Sequence, residues 1–251
     1  MDLQTQGILA PNGRLRVAIA VGSAISALWT KRDSTTKQPT GPAVDLANIF
    51  AERTGLPLAL VEYGSSGEII QAASSGSWDV SFTPVDKERR SIVDFGPSFA
   101  LGESTYMVPK DSPFSHVDEV DRPGLRIFGV ENTATIRSAR KSLKNTTATG
   151  LISLEDVLTK FRNAEADAIA LGKESLLSIL PDFPGAKILD GNFLVTGSAL
   201  AVQKGNAVAL EMFSRLLEEL KADGTVRKIL DRHGMTGSAV APAELDWCSP
   251  A

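Results

Sequence analysis

Two arginines stand side by side within Ser81–Phe99, SFTPVDKERRSIVDFGPSF, directly after an apolar run that reads as a buried strand. A guanidinium is planar and permanently charged, and its paired N–H donors suit it to hold both oxygens of a carboxylate. At the mouth of a cleft, Arg89 or Arg90 could hold an anion in this way. On a short solvated helix the pair needs no special role, and taken alone that is the simpler reading. The Asp94–Pro97 stretch, DFGP, reads as a turn. Other reactive residues offer less. Ser138–Lys141 matches Ser-x-x-Lys but lacks the partner motifs of penicillin-recognising enzymes. Gly64–Gly67, GSSG, has no Lys-Ser/Thr after it and is too short for a phosphate loop. His116 and His233 stand alone without metal-ligand spacing and read as surface positions. No cofactor motif occurs.

The composition narrows the function classes. With 251 residues, 43% of them apolar and 22% charged, the chain can bury one large core or two smaller ones. No apolar run approaches the roughly 20 residues of a membrane helix. A net charge of −4 with scattered Lys and Arg gives no support for a nucleic-acid partner. The only cysteine, Cys248, excludes an internal disulfide. The N-terminal stretch MDLQTQGILAPNG lacks the basic and apolar regions of a signal peptide. It fits either a cytoplasmic protein or a mature form with an added Met.

The elements that must position these residues follow from periodicity. RLRVAIAVG, LPLALVEY and WDVSFTP read as strands, and PAVDLANIFAERTG and SGEIIQAASSG as the helices between them. The polar stretch TKRDSTTKQPTG reads as a loop. This β-α-β-α-β order predicts parallel strands covered by helices. It recurs as LRIFGV, NTATIRSARKSLKN, ATGLI, SLEDVLTKFRNAEA and DAIALG, with Ser153 as N-cap and Asp156 three residues on. GEIIQAASSGSWDVSFTP and EDVLTKFRNAEADAIALG form a weak internal repeat of helix, polar turn, Asp and apolar strand. The remaining strand SALAVQKG and the helices NAVALEMFSRLLEELKADG and TVRKILDRHG pack most economically on the first unit. The chain then crosses between lobes twice, near TYMVPKDSP and near DGNFLVTGSA, leaving a hinge and a cleft. The expected lobes are residues 1–107 with 195–251, and residues 108–194.

GRLRVAIAVG, GPAVDLANIFAERTG, GSWDVSFTPVDKERRSIVDFGPSF, ADAIALG and LKADGTVRKILDRHG occur in an order that resembles the bacterial extracellular solute-binding proteins serving polar amino-acid ABC transporters. The resemblance implies an α/β two-lobed periplasmic binding protein type II fold, with parallel-type sheets, helices on both faces and two crossing hinge strands. It also implies a small polar ligand trapped by closure. In that family an arginine six residues before the Phe of a DF turn clamps the ligand carboxylate, which selects Arg89 over Arg90. Thr83 adds a hydroxyl at the carboxyl edge of the sheet, where open α/β folds bind ligands. The family's Gly-Ser/Thr-Thr stretch at a helix N-terminus corresponds to ENTAT. Asn132 there tolerates left-handed backbone, and Thr133 and Thr135 offer hydroxyls. A plain N-cap explains these residues equally well.

The sequence also departs from the family. The ammonium-holding Asp, five residues after the Asp of DA, is replaced by Gly172, followed by Lys173 and Glu174. The aromatic lid residue of the first strand is missing, and VGSAISALW offers Ser23 and, further on, Trp29. Glu103 is a candidate for a ligand cation and Lys173 for a second anionic group, although solvated strand or helix ends explain both. The expectation is a non-enzymatic, monomeric, periplasmic protein that binds a small-molecule carboxylate ligand and presents it to an ABC transporter permease. The alternative is a lyase of the cyclohexadienyl dehydratase type, which resembles this family, with Glu174 or Glu103 as proton donor. A sensor domain is a third option.

Overall fold

The computed structural model describes residues 3–22, 24–26 and 28–243. Helix α1 (Leu3–Leu9) precedes β1 (Leu15–Val21), β2 (Trp29–Arg32), β3 (Pro39–Thr40), α2 (Pro42–Thr54), β4 (Leu58–Tyr63), α3 (Ser66–Gln71) and β5 (Val80–Pro84). After the long β6 (Val93–Val108) come β7 (Ile127–Val130), α4 (Ala134–Ser142), β8 (Ala148–Leu151), α5 (Leu154–Arg162), β9 (Ala168–Gly172) and α6 (Lys173–Ile179). β10 (Lys187–Ile188), β11 (Leu194–Gln203), α7 (Ala207–Ala222) and α8 (Thr225–Arg232) complete the order.

Strand alternation distributes the helices to both faces. In β1, Leu15, Val17 and Ile19 share a core with Phe50 of α2 and Phe213 and Leu217 of α7. The intervening Ala18 and Ala20 lie in a separate core with Ile69 of α3 and Trp78. β9 repeats the arrangement: Ile169 and Leu171 join Val157 and Leu158 of α5, while Ala168 and Ala170 join Ile136 and Ala139 of α4. A period of two on a strand with helices above and below leaves both faces apolar, which is why these strands read as continuous apolar runs.

The internal repeat has a structural counterpart. Arg16 donates its backbone N–H and its guanidinium to the Asp79 carboxylate, and Asp79 N–H returns to Arg16 O at 2.9 Å. Arg126 and Asp167 make the same set of bonds, with Asp167 N–H on Arg126 O at 2.9 Å. In each unit an arginine opening the first strand pins the aspartate that opens the third. The Arg126 bonds hold the Asp167 carboxyl below the usual carboxylate range.

The sheet runs β3-β2-β1-β5-β11-β6-β9-β7-β8, with β4 on β1 and β10 on β6. β1 is parallel to β2, β4 and β5, and β7 to β8 and β9. β6 pairs antiparallel with β11 from Val93 to Ser104, and with β9 from Ser104 to Met107. Its first half contributes Val93, Phe99 and Ala100 to the first pair of cores, and its end contributes Tyr106, Met107 and Val108 to the second.

Three readings are corrected. Asp94–Pro97 is not a turn but part of β6, where the register against β11 shifts between Ala199 and Ala201. An irregularity there accommodates Pro97, which has no N–H for a regular ladder. The polar stretch after β1 carries the antiparallel β2–β3 pair, Lys31 opposite Thr40. His233 is not a surface position: its side chain is only 10% exposed and its Nε2 lies 3.0 Å from Asp45. Local capping follows the sequence closely. Ser153 accepts from Asp156 N–H while the Asp156 carboxylate accepts from Ser153 N–H. Ser153→Ala is therefore expected to cost about 1 kcal/mol of stability in denaturant melts, because it leaves an N-terminal donor unmet.

Candidate functional site

A cavity of about 760 Å³, counted out to its open mouth, lies where the two pairs of cores meet. One wall comes from the end of β1, the Ser26–Trp29 segment and Ser66 at the start of α3. The opposite wall comes from Val130, the start of α4 and residues 171–175 at the β9–α6 junction. β6 and β11 cross behind it with Leu101–Ser104, Thr196 and Ser198. Nine lining residues are serines or threonines, so the surface offers many hydroxyls that can donate or accept. The charged lining residues are Glu103, Lys173 and Glu174.

Arg89 sits behind this wall on a single 3-10 turn, 3% exposed. Its Nη2 donates to Ser66 Oγ at 3.2 Å and to Asn132 O at 2.9 Å. Its Nη1 is buried without a protein hydrogen-bond partner among the described residues. Burial, and then the nearby Arg137 charge, push its pKa down to about 10, while Asp86 and Glu88 oppose the shift. It is therefore still charged at neutral pH. A buried cation with an unpartnered Nη1 is costly, and an incoming carboxylate would relieve that cost.

The other sequence candidates divide. Asn132 has a left-handed φ of 59° and presents its carbonyl to Arg89. Gly67 is required beside it, because a Cβ there would come within 2.6 Å of Asn132 Cβ and 2.8 Å of its carbonyl oxygen. Thr133 lines the cavity, but its hydroxyl is engaged in capping: it donates to Val130 O and accepts from Ile136 N–H. Thr135 lines the cavity with its hydroxyl 3.2 Å from Ser104 Oγ. Thr83 is fully buried next to the lining residue Pro84, and its hydroxyl has no partner among the described residues. Glu103 and Lys173 both line the cavity and bond to each other at 2.9 Å. Ser23 lies outside the described residues.

The two walls also touch directly. Arg137 of α4 donates to Asp86 at 2.6 Å and lies 3.3 Å from Glu88. Burial works against the Asp86 carboxylate, but bonding to Arg137 and its charge prevail and hold its pKa below the usual range. Ile25 N–H donates to Ser178 Oγ of α6 at 3.0 Å, and Ser238 Oγ donates to Glu174 at 2.7 Å. Sequence reasoning missed Ser66, Ser104, Ser175, Thr196, Ser198 and Ser238 as lining residues. A period of two in Thr196 and Ser198 was available as a signal within LVTGSAL. Nothing local marks Ser238.

A family model of the bacterial extracellular solute-binding proteins, family 3, matches residues 19–236. The arginine-binding periplasmic protein of Mannheimia haemolytica is 24% identical over 173 residues, which cover 65% of this chain and 69% of that protein. A solved structure of AbpA from Streptococcus pneumoniae, an amino acid ABC transporter substrate-binding protein bound to L-arginine, matches with a TM-score of 0.78 at 19% identity, over 89% of this chain and 95% of that one. The ancestral amino-acid-binding protein AncCDT-1, a precursor of cyclohexadienyl dehydratase, matches with a TM-score of 0.79 at 22% identity, over 91% and 98% of the two chains. The likeness to these two structures establishes the type II periplasmic binding protein fold.

Proposed function

Because this chain belongs to the bacterial extracellular solute-binding proteins, family 3, we propose that its cavity takes a small amino-acid-like carboxylate and delivers it to an ABC transporter permease. The observation that carries this reading is Arg89, buried behind Ser66 with an unpartnered Nη1 and a retained charge. The ligand carboxylate completes its hydrogen bonding, with Ser66, Thr135 and the start of α4 around it. The described residues within 1–107 and 195–251 form one lobe and residues 108–194 the other, with β6 and β11 as the hinge. Only the closed form contacts the ligand from both lobes, so binding draws the population toward closure. The protein works as a monomer, without catalysis, outside the cytoplasmic membrane. Among the described residues no helix is long and apolar enough to cross a membrane.

A thermal-shift screen over amino acids, opines, dicarboxylates and amines tests the reading. A ligand at about 1,000 times its Kd adds roughly 4 kcal/mol to the folded state, which a melting curve resolves easily. At least one carboxylate-bearing solute is expected to raise Tm by several degrees, and amines lacking a carboxylate are expected to do nothing. A screen in which only such amines stabilise the protein would refute the role given to Arg89. Incubation with prephenate is expected to yield no aromatic product; turnover would establish the dehydratase alternative instead.

A further inference from the structure

Resting on the two-lobed reading above, we infer that Arg137 is a latch: paired with Asp86 and Glu88 of the opposite lobe, it holds the cleft closed and acts on the ligand only through closure. Arg137 is not among the residues that line the cavity. It stands one turn into α4, where its N–H donates to Thr133 O, and the turn before it carries the lining residues Thr133 and Thr135. On the other wall, Asp86 and Glu88 follow the end of β5 and directly precede Arg89. Arg137 Nη2 donates to Asp86 Oδ2 at 2.6 Å, and Arg137 Nε lies 3.3 Å from Glu88. The Asp86 carboxylate is oriented by its own loop, since Oδ1 accepts from Glu88 N–H at 2.8 Å.

Two features set this pair apart from an ordinary surface ion pair. The first is burial. The Arg137 and Asp86 side chains are 21% and 15% exposed, whereas Arg32 and Arg126 are half exposed in their pairs with Glu62 and Asp167. A shielded pair is screened less by salt and contributes more than an exposed one. The second is reciprocity. Arg89 reaches from the first lobe to Asn132 O of the second, and Arg137 reaches back from the second lobe to Asp86 of the first. Crossings in opposite directions resist both separation of the walls and sliding of α4 along the Asp86–Arg89 loop. The contacts of Ile25 N–H with Ser178 and of Ser238 with Glu174 each rest on one hydroxyl, while the Arg137 pair is charged on both sides. Opening returns both charges to water, so the pair favours the closed form alone. Apparent affinity scales with the closed fraction, and Arg137 is thus a positioning residue for whatever solute the cavity takes.

Small-angle X-ray scattering of the whole protein without added solute tests the latch, at about 20 mM and about 1 M salt. Wild type is expected to be compact at low salt. Arg137→Ala should lower the closed-to-open ratio about tenfold and raise the radius of gyration by about 0.5–1 Å, and Asp86→Asn should do the same. The double variant should be no larger than either single one, because one pair can be broken only once. Arg137→Lys keeps the charge and should scatter closer to wild type than Arg137→Ala does. High salt should expand wild type and leave Arg137→Ala unchanged, and melting curves should show every variant folded, which a purely structural role for Arg137 would not combine with expansion. Variants as compact as wild type, additive expansion in the double variant, or a wild type already expanded at low salt would each overturn the inference. If the variants match wild type while added L-arginine compacts them all, the hinge and the cavity reading stand and the latch fails. A radius that variants, salt and L-arginine all leave unmoved overturns the two-lobed reading as well.

Discussion

Arg89→Ala is expected to abolish solute binding, weakening it by about 30-fold to several-thousand-fold, while Arg90→Ala changes it less than about threefold. Losing one member of a desolvated charge pair costs about 2–5 kcal/mol, because the remaining carboxylate stays buried without its partner. Arg89 is 3% exposed and bonds to Ser66 and Asn132 at the meeting of the two walls. Arg90 is only half-buried, and its backbone carbonyl serves Lys204 at the surface. The unliganded fold should survive the Arg89 change, since a guanidinium whose pKa is lowered by burial contributes little net stability to the protein that buries it. Calorimetry on both variants decides the point. Equal affinity losses would show that the clamp had been assigned to the wrong arginine.

Phe213→Ala is expected to destabilise the protein by about 3–5 kcal/mol, the range for truncating an aromatic in a packed core. Phe213 is fully buried on α7 and stacks on Phe50 of α2 at a centroid distance of 5.0 Å; Phe50 in turn lies 5.7 Å from Phe82 of β5. A fall in Tm of roughly 6–20 °C would follow for a unit of this size. The loss should be local. Hydrogen exchange should accelerate in β1, β5, α2 and α7, whose side chains share this core, and stay slow in β7, β8 and β9, whose cores contain no α7 residue. Uniform acceleration in both sets of strands would argue that the chain unfolds as one unit and that the proposed lobes are not energetically separate.

Much of the fold is legible in the sequence because it depends on short-range rules. The apolar runs of β1, β5, β7 and β9, the helical spacing in α2 and α7, and the capping box at Ser153 and Asp156 need only neighbours within a few residues. The repeat of helix, turn, Asp and strand foreshadowed the paired roles of Asp79 and Asp167, each held by the arginine that opens its unit. β6 escaped this reading. Its Phe-Gly-Pro stretch carries turn-forming residues, and it is extended because β11 pairs along it through a register shift.

The sequence by itself determined the residue types at the site: an arginine after a buried strand, a threonine-capped helix, and an acidic and a basic residue near the crossing strands. Only the tertiary structure decided which partners they have. Lys173 and Glu103, 70 positions apart, meet and cancel because β6 and β9 run antiparallel with Ser104 opposite Gly172. Thr133 gives its hydroxyl to its own helix cap. Glu174 gains Ser238, 64 positions further on, because the segment after α8 returns along β6 at Phe99–Leu101. The physical reason is range. Capping and strand alternation act between neighbours, whereas the charge balance of a cavity is set by side chains that only packing brings within a few ångströms of one another.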